Sequence, residues 1–126
     1  MPRVTHHDRR TAYRVTDRGG DGAPLLFVHG SGGTGAVWAG QTPLADDRPT
    51  VALDLSGHGE SDDVAADPGY ETLSVYADDV AAVARETDAR TVVGHSLGGA
   101  VALWVALERD VALDGLVLAG SGAPLA

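Results

Sequence analysis

Ser96 stands in Gly94-His95-Ser96-Leu97-Gly98-Gly99, a Gly-x-Ser-x-Gly pattern. A β-branched run, Thr91-Val92-Val93, leads into it, and an apolar helical segment from Ala100 to Leu107 follows. The order is strand, tight turn, helix. A serine hydroxyl lifted out of a sheet at such a corner becomes a nucleophile once a base takes its proton. A positive φ at Ser96 would crowd the positions two residues away on either side. Gly94 and Gly98 lack a Cβ and relieve that clash. The helix after the turn aims its first N–H groups at the same point, where developing negative charge is favoured. A tetrahedral oxyanion formed there needs such fixed donors.

This turn resembles the nucleophile elbow of the α/β-hydrolase family. Two more stretches resemble that family, in its order. Leu26-Phe27-Val28-His29-Gly30-Ser31-Gly32-Gly33 is similar to its oxyanion loop. Asp54-Leu55-Ser56-Gly57-His58-Gly59-Glu60-Ser61 is similar to its Asp-x-x-Gly-x-Gly-x-Ser turn. The three together span nearly the whole chain. The resemblance implies Ser96 as nucleophile, with the backbone N–H groups of Leu97 and Ser31 as the oxyanion hole. It implies that His29 supports its loop, that His58 helps fold its turn and that His95 packs beside the elbow, none of them being the base. Gly30, Gly32 and Gly33 let the loop approach the elbow. Asp54, Gly57, Gly59, Ser61, Gly94 and Gly98 are carried over as structural motif positions. The implied activity is hydrolysis of a carboxylic ester or a related acyl or C–C bond in a small-molecule acyl substrate, with no metal and no organic cofactor. A Ser in place of Asp at the elbow sets the chain apart from the dehalogenase and epoxide-hydrolase branches.

The chain departs from the family after the elbow. The family triad runs Ser, acid, His in chain order. Here Ser96 is followed by Glu108, Asp110 and Asp114 and by no His. Those acids are expected at the end of the sheet away from Ser96. The position after the last strand, where some members carry the acid, holds Gly120-Ser121-Gly122. Residues 1–126 therefore read as the N-terminal part of one α/β-hydrolase domain, without lid or C-terminal part. The chain is expected to be an inactive fragment or to meet a complementing C-terminal half. Its last strand, left with an unpaired edge, favours self-association.

The elements that must position these residues follow from the apolar pattern. Residues 11–16 alternate like an edge strand. Residues 25–28 form a continuous apolar run typical of a buried parallel strand, residues 51–55 read as the next strand, and 115–119 as a last one. Residues 36–45 can form a helix, interrupted at Pro43. Over 71–87, Leu73, Tyr76, Val80 and Val83 share a helical face, with Asp78 and Asp79 on the other side. Residues 62–69 are an acidic loop, and 120–124 a loop. Strands alternating with helices predict a doubly wound, mostly parallel sheet covered on both faces. His6-His7 near the terminus reads as solvated rather than metal-binding.

Other function classes have a claim on the same residues. Gly30-Ser31-Gly32-Gly33-Thr34-Gly35 fits Gly-x-Gly-x-x-Gly after a strand, with Asp54 ending the next one, as in a dinucleotide-binding domain. That reading leaves the elbow and the 54–61 turn unexplained. A hydrolase-like module that binds partners without catalysis is the third reading.

Eighteen acidic residues face nine basic ones, all Arg, for a net charge of −9. This balance argues against nucleic acid or an anionic membrane as partner. Cys is absent, so no disulfide or thiol chemistry is expected. The N-terminus has no apolar leader core and no window reaches membrane-spanning length, from which a cytoplasmic location is expected. An acidic, Lys-free surface resembles that of salt-adapted proteins; codon bias in a GC-rich genome gives the same composition. Screening of self-repulsion at 1 M salt, where the Debye length is about 3 Å, is expected to raise the thermal midpoint. Circular dichroism melts at low and molar salt check this, and equal midpoints exclude it.

Overall fold

The computed structural model describes residues 1–64 and 73–120. Among these residues six strands form one sheet: β1 (Arg3–His6), β2 (Arg9–Thr16), β3 (Leu25–Val28), β4 (Thr50–Leu53), β5 (Thr91–His95) and β6 (Gly115–Ala119). Their spatial order is β1-β2-β4-β3-β5-β6. The first two pairings are antiparallel; β4, β3, β5 and β6 run parallel. The short apolar runs behave as predicted, because a strand flanked by strands and covered by helices needs apolar residues on both faces. Two helices, α1 (Ser74–Thr87) and α2 (Leu97–Glu108), pack on one face. Leu26, Val28, Val51, Leu53 and Val92 from the sheet meet Val80, Val83, Val101 and Val105 from the helices, all fully buried or nearly so. No helix among the described residues is long and apolar enough to cross a membrane.

Residues 35–46 form a run of 3₁₀ turns on the opposite face rather than an α-helix. Pro43 lies inside it, and Pro there cannot donate a backbone hydrogen bond. The side chain of Thr34 caps its start by accepting from the Ala36 N–H at 3.2 Å. Phe27 and Trp38 hold this segment to the sheet, with ring centroids 4.8 Å apart.

Four expectations need correction. The strand over 11–16 is not an edge. It belongs to the longer β2, and β1, a segment too polar to register as a strand, pairs outside it. The strand expected over 51–55 ends at Leu53, so Asp54 and Leu55 lie in the turn. Asp79 does not face solvent with Asp78. It is fully buried at the junction of α1, β2 and the turn after β4. The N–H and hydroxyl of Ser56 donate to its two carboxylate oxygens, each at 2.8 Å. Thr11 Oγ1 donates at 3.3 Å and the Arg9 guanidinium at 3.2 Å. His6, expected in solvent, lies 2.7 Å from Thr11 Oγ1 and 3.3 Å from Asp79. Helical periodicity could not expose this, because β1 and β2 supply the partners from elsewhere in the sequence. Residues 65–72 and 121–126, which include parts of the expected acidic loop, of the α1 start and of the final loop, lie outside the described residues.

Removing one partner of such a buried charge network leaves Arg9 and the Ser56 N–H uncompensated. Asp79→Ala is therefore expected to cost about 3–5 kcal/mol. Urea unfolding of the variant measures it, and an unchanged midpoint at equal slope speaks against this role.

Candidate functional site

The parallel strands deliver three turns to one end of the sheet. β5 ends at His95, and Ser96 follows at φ 55°, ψ −119°, with α2 starting at Leu97. A non-glycine residue in this region is strained by about 1–3 kcal/mol, and its surroundings hold it there. The Ser96 N–H donates to the Ala119 carbonyl at 3.3 Å. The Ser96 carbonyl accepts from Gly99 and Ala100, at 2.9 and 3.3 Å. A Cβ on Gly94 would strike the Gly98 carbonyl, and one on Gly98 would strike the carbonyl oxygens of Val28 and His29, the latter at 2.6 Å. The first turn of α2 thus lies directly on the end of β3. Ser96 itself is exposed.

The loop after β3 crosses in front of this corner. A Cβ on Gly30 would sit 3.4 Å from the Ser96 Cβ. Gly33 donates to the Gly30 carbonyl at 3.1 Å and Gly32 has φ +76°, which together make a type II turn over Gly30-Ser31-Gly32-Gly33. Ser31 is exposed at its tip. Two histidines tie the loop to the turn after β4. His29 is fully buried, accepts the Leu55 N–H on Nε2 at 3.0 Å and places Nδ1 2.6 Å from the Gly30 carbonyl. Burial holds its pKa below the ordinary imidazole value, against the opposing pull of the Gly30 carbonyl. With both ring nitrogens engaged, His29 has no lone pair to offer Ser96. His58 accepts the Gly32 N–H on Nε2 at 3.1 Å and places Nδ1 3.0 Å from the Ser56 carbonyl. His95 is exposed beside the corner, its ring edge-on to Trp38 at 6.4 Å.

Asp54 anchors the remaining turn. Its buried carboxylate accepts from the Gly35 N–H at 2.8 Å and the Glu60 N–H at 3.0 Å, and its carbonyl accepts from the Ser61 hydroxyl. Gly57 and Gly59 take positive φ, and a Cβ on Gly59 would strike the Asp54 carboxylate. That carboxylate is occupied by Gly35, by Glu60 and, at 3.7 Å, by Arg14, where a dinucleotide-binding domain would need it facing a ribose.

Glu108, Asp110 and Asp114 lie at the other end of the sheet. Asp114 donates its N–H to the Arg90 carbonyl, next to the first residue of β5. Five residues at about 3.3 Å each separate that end from Ser96. Among the described residues no group of three or more His, Asp or Glu side chains is arranged to hold a metal ion.

The model of the alpha/beta hydrolase family matches residues 25–126. The chain belongs to this family. A 2-hydroxymuconate semialdehyde hydrolase from Pseudomonas sp. (strain CF600) is 36% identical over 108 residues, covering 81% of this chain and 38% of that protein. A hydrolase from Pseudomonas aeruginosa superposes with a TM-score of 0.85 at 29% identity, over 99% of this chain and 47% of that one. A thermophilic esterase from Thermogutta terrifontis gives 0.80 at 30% identity, over 98% and 47%. The chain thus spans less than half the length of each of these hydrolases, whose fold it shares.

In this alpha/beta hydrolase corner, Gly98→Ala tests the contact between α2 and β3. On an ordinary helix, Gly→Ala stabilises by about 1 kcal/mol. Here the methyl meets two carbonyl oxygens, and a loss of about 1–3 kcal/mol is expected instead. Thermal unfolding reads the sign, and a stabilised variant refutes the contact.

Proposed function

We propose that the protein is a serine hydrolase acting on a carboxylic ester or a related acyl compound. The observation that carries this reading is the strained, exposed Ser96 at the start of α2, faced by the Gly30–Gly33 loop. The Ser96 hydroxyl attacks the acyl carbon. The oxyanion is received by the N–H of Leu97, which lies in the first turn of a helix and so has no acceptor within it, and by the N–H of Ser31. The adjacent helix N-terminus favours the same charge. The names of the relatives and neighbours, which include hydrolases and esterases, support this class.

The base and its acid partner come from outside these residues. His29 has both nitrogens engaged, His58 is turned to Gly32 and Ser56, and no His follows Ser96. A C-terminal segment of the same fold, in the same or a partner polypeptide, is the proposed source. In a serine protease, loss of the base alone costs about 10⁶ in kcat. The 126-residue chain alone is accordingly expected to hydrolyse p-nitrophenyl acetate no faster than its Ser96→Ala variant. A polypeptide that supplies a downstream acid and His restores turnover, and Ser96→Ala abolishes it. Turnover that survives Ser96→Ala in that longer protein overturns the reading.

A further inference from the structure

We propose that His58 is a positioning residue for the oxyanion loop, holding the Ser31–Gly32 peptide through a single imidazole tautomer. The proposal rests on the serine-hydrolase reading for its consequence in catalysis, and on geometry alone for the tautomer. His58 touches two backbone groups of opposite character. The Gly32 N–H points at Nε2 from 3.1 Å, so Nε2 must offer a lone pair. The Ser56 carbonyl lies 3.0 Å from Nδ1, so Nδ1 must carry the proton. Only the neutral Nδ1–H form satisfies both. Imidazolium would place a second N–H against that of Gly32.

The Gly32 N–H belongs to the central peptide of the Gly30–Gly33 turn. Type I and type II turns differ by a flip of that peptide. Gly32 at φ +76° is the type II form, and the bond to His58 is what rewards it. The flip turns ψ of Ser31 and φ of Gly32, and the proposed oxyanion donor, the Ser31 N–H, sits on the adjoining peptide. A Cβ at Gly32 would meet nothing within 4 Å, so packing around that position does not hold the peptide.

His58 is itself braced. Its Nδ1 partner belongs to Ser56, whose N–H and hydroxyl are held by the buried Asp79. Arg9 also donates to the Ser56 hydroxyl, at 3.1 Å. The strut therefore runs from α1 and β2 through Ser56 and His58 to Gly32. Titratable groups face it from each side: His29 from the end of β3, with ring centroids 5.0 Å apart, Tyr76 from α1 at 6.2 Å, and Asp54 and Glu60 within its own turn. Asp79 and Arg9 reach it through Ser56.

Nitrogen-15 NMR of the labelled protein tests the proposal without any substrate. At neutral pH the His58 ring is expected as the Nδ1–H tautomer, with scalar coupling from Nε2 to the Gly32 amide nitrogen. On acidification, the Ser31, Gly32 and Gly33 amides should move in step with the His58 ring resonances, whereas Leu55 follows those of His29. His58→Leu removes the acceptor and His58→Gln keeps one. In the longer, active protein, Leu should lower kcat by up to about 10² with little change in KM, and Gln should recover most of it. A ring protonated on Nε2 at neutral pH, or a Leu variant with unmoved Ser31 and Gly32 amides and full kcat, overturns the proposal. Turnover independent of Ser96 instead overturns the serine-hydrolase reading, and the NMR result then stands or falls by itself.

Discussion

The structure depends on one close approach. The first turn of α2 rests on the last carbonyls of β3, and only a residue without a Cβ at position 98 allows it. The same constraint recurs one turn back, where Gly94 lies under the Gly98 carbonyl. Between these two glycines the chain has no room for an ordinary strand-to-helix connection. Ser96 absorbs the misfit in its backbone, at φ 55°. Strain of this kind persists only when the surrounding packing over-determines it. Here the packing is the fully buried face of Val101 and Val105 on α2 against the sheet.

From that corner outward, polar groups fix the loops together with the buried Leu55. Backbone N–H groups withdrawn from water there must find acceptors. Asp54 gathers the N–H groups of Gly35 and Glu60, His29 takes Leu55, and His58 takes Gly32. Each acceptor takes at least one N–H from a neighbouring segment, so the loops after β3 and β4 are fastened to each other as well as to their strands. Asp79 extends the fastening to the β1–β2 hairpin through Ser56 and Arg9. The antiparallel hairpin and the turn after β4 thereby share one buried carboxylate.

Much of this was legible in the sequence. The strands at 25–28, 91–95 and 115–119 follow from their apolar runs, and α2 from the segment after Ser96. The elbow was readable because its glycines serve local sterics, which spacing alone encodes. What escaped was non-local. β1 is polar because it is an outer strand, and its identity depends on pairing with β2. Asp79 looks like a surface acid on a helical wheel, since its partners lie 23 residues away in the chain, as with Ser56, or 70, as with Arg9. His58 was expected to fold its own turn, and the sequence offered no sign that it also reaches across to Gly32. The 3₁₀ geometry over 35–46 likewise reflects local conflict, with Pro43 inside, that periodicity does not resolve.

The resulting picture is a platform that presents one proposed nucleophile and two proposed oxyanion donors, with a proton acceptor proposed to come from outside these residues. The central claim is that Ser96 is the reacting atom's carrier. Covalent labelling with a fluorophosphonate, followed by peptide mass spectrometry, tests it most directly in a protein that joins this chain to a segment bearing the acid and His. The account predicts stoichiometric phosphonylation on the peptide that contains Ser96, and none in the 126-residue chain alone. Labelling confined to any other serine of the joined protein would contradict it.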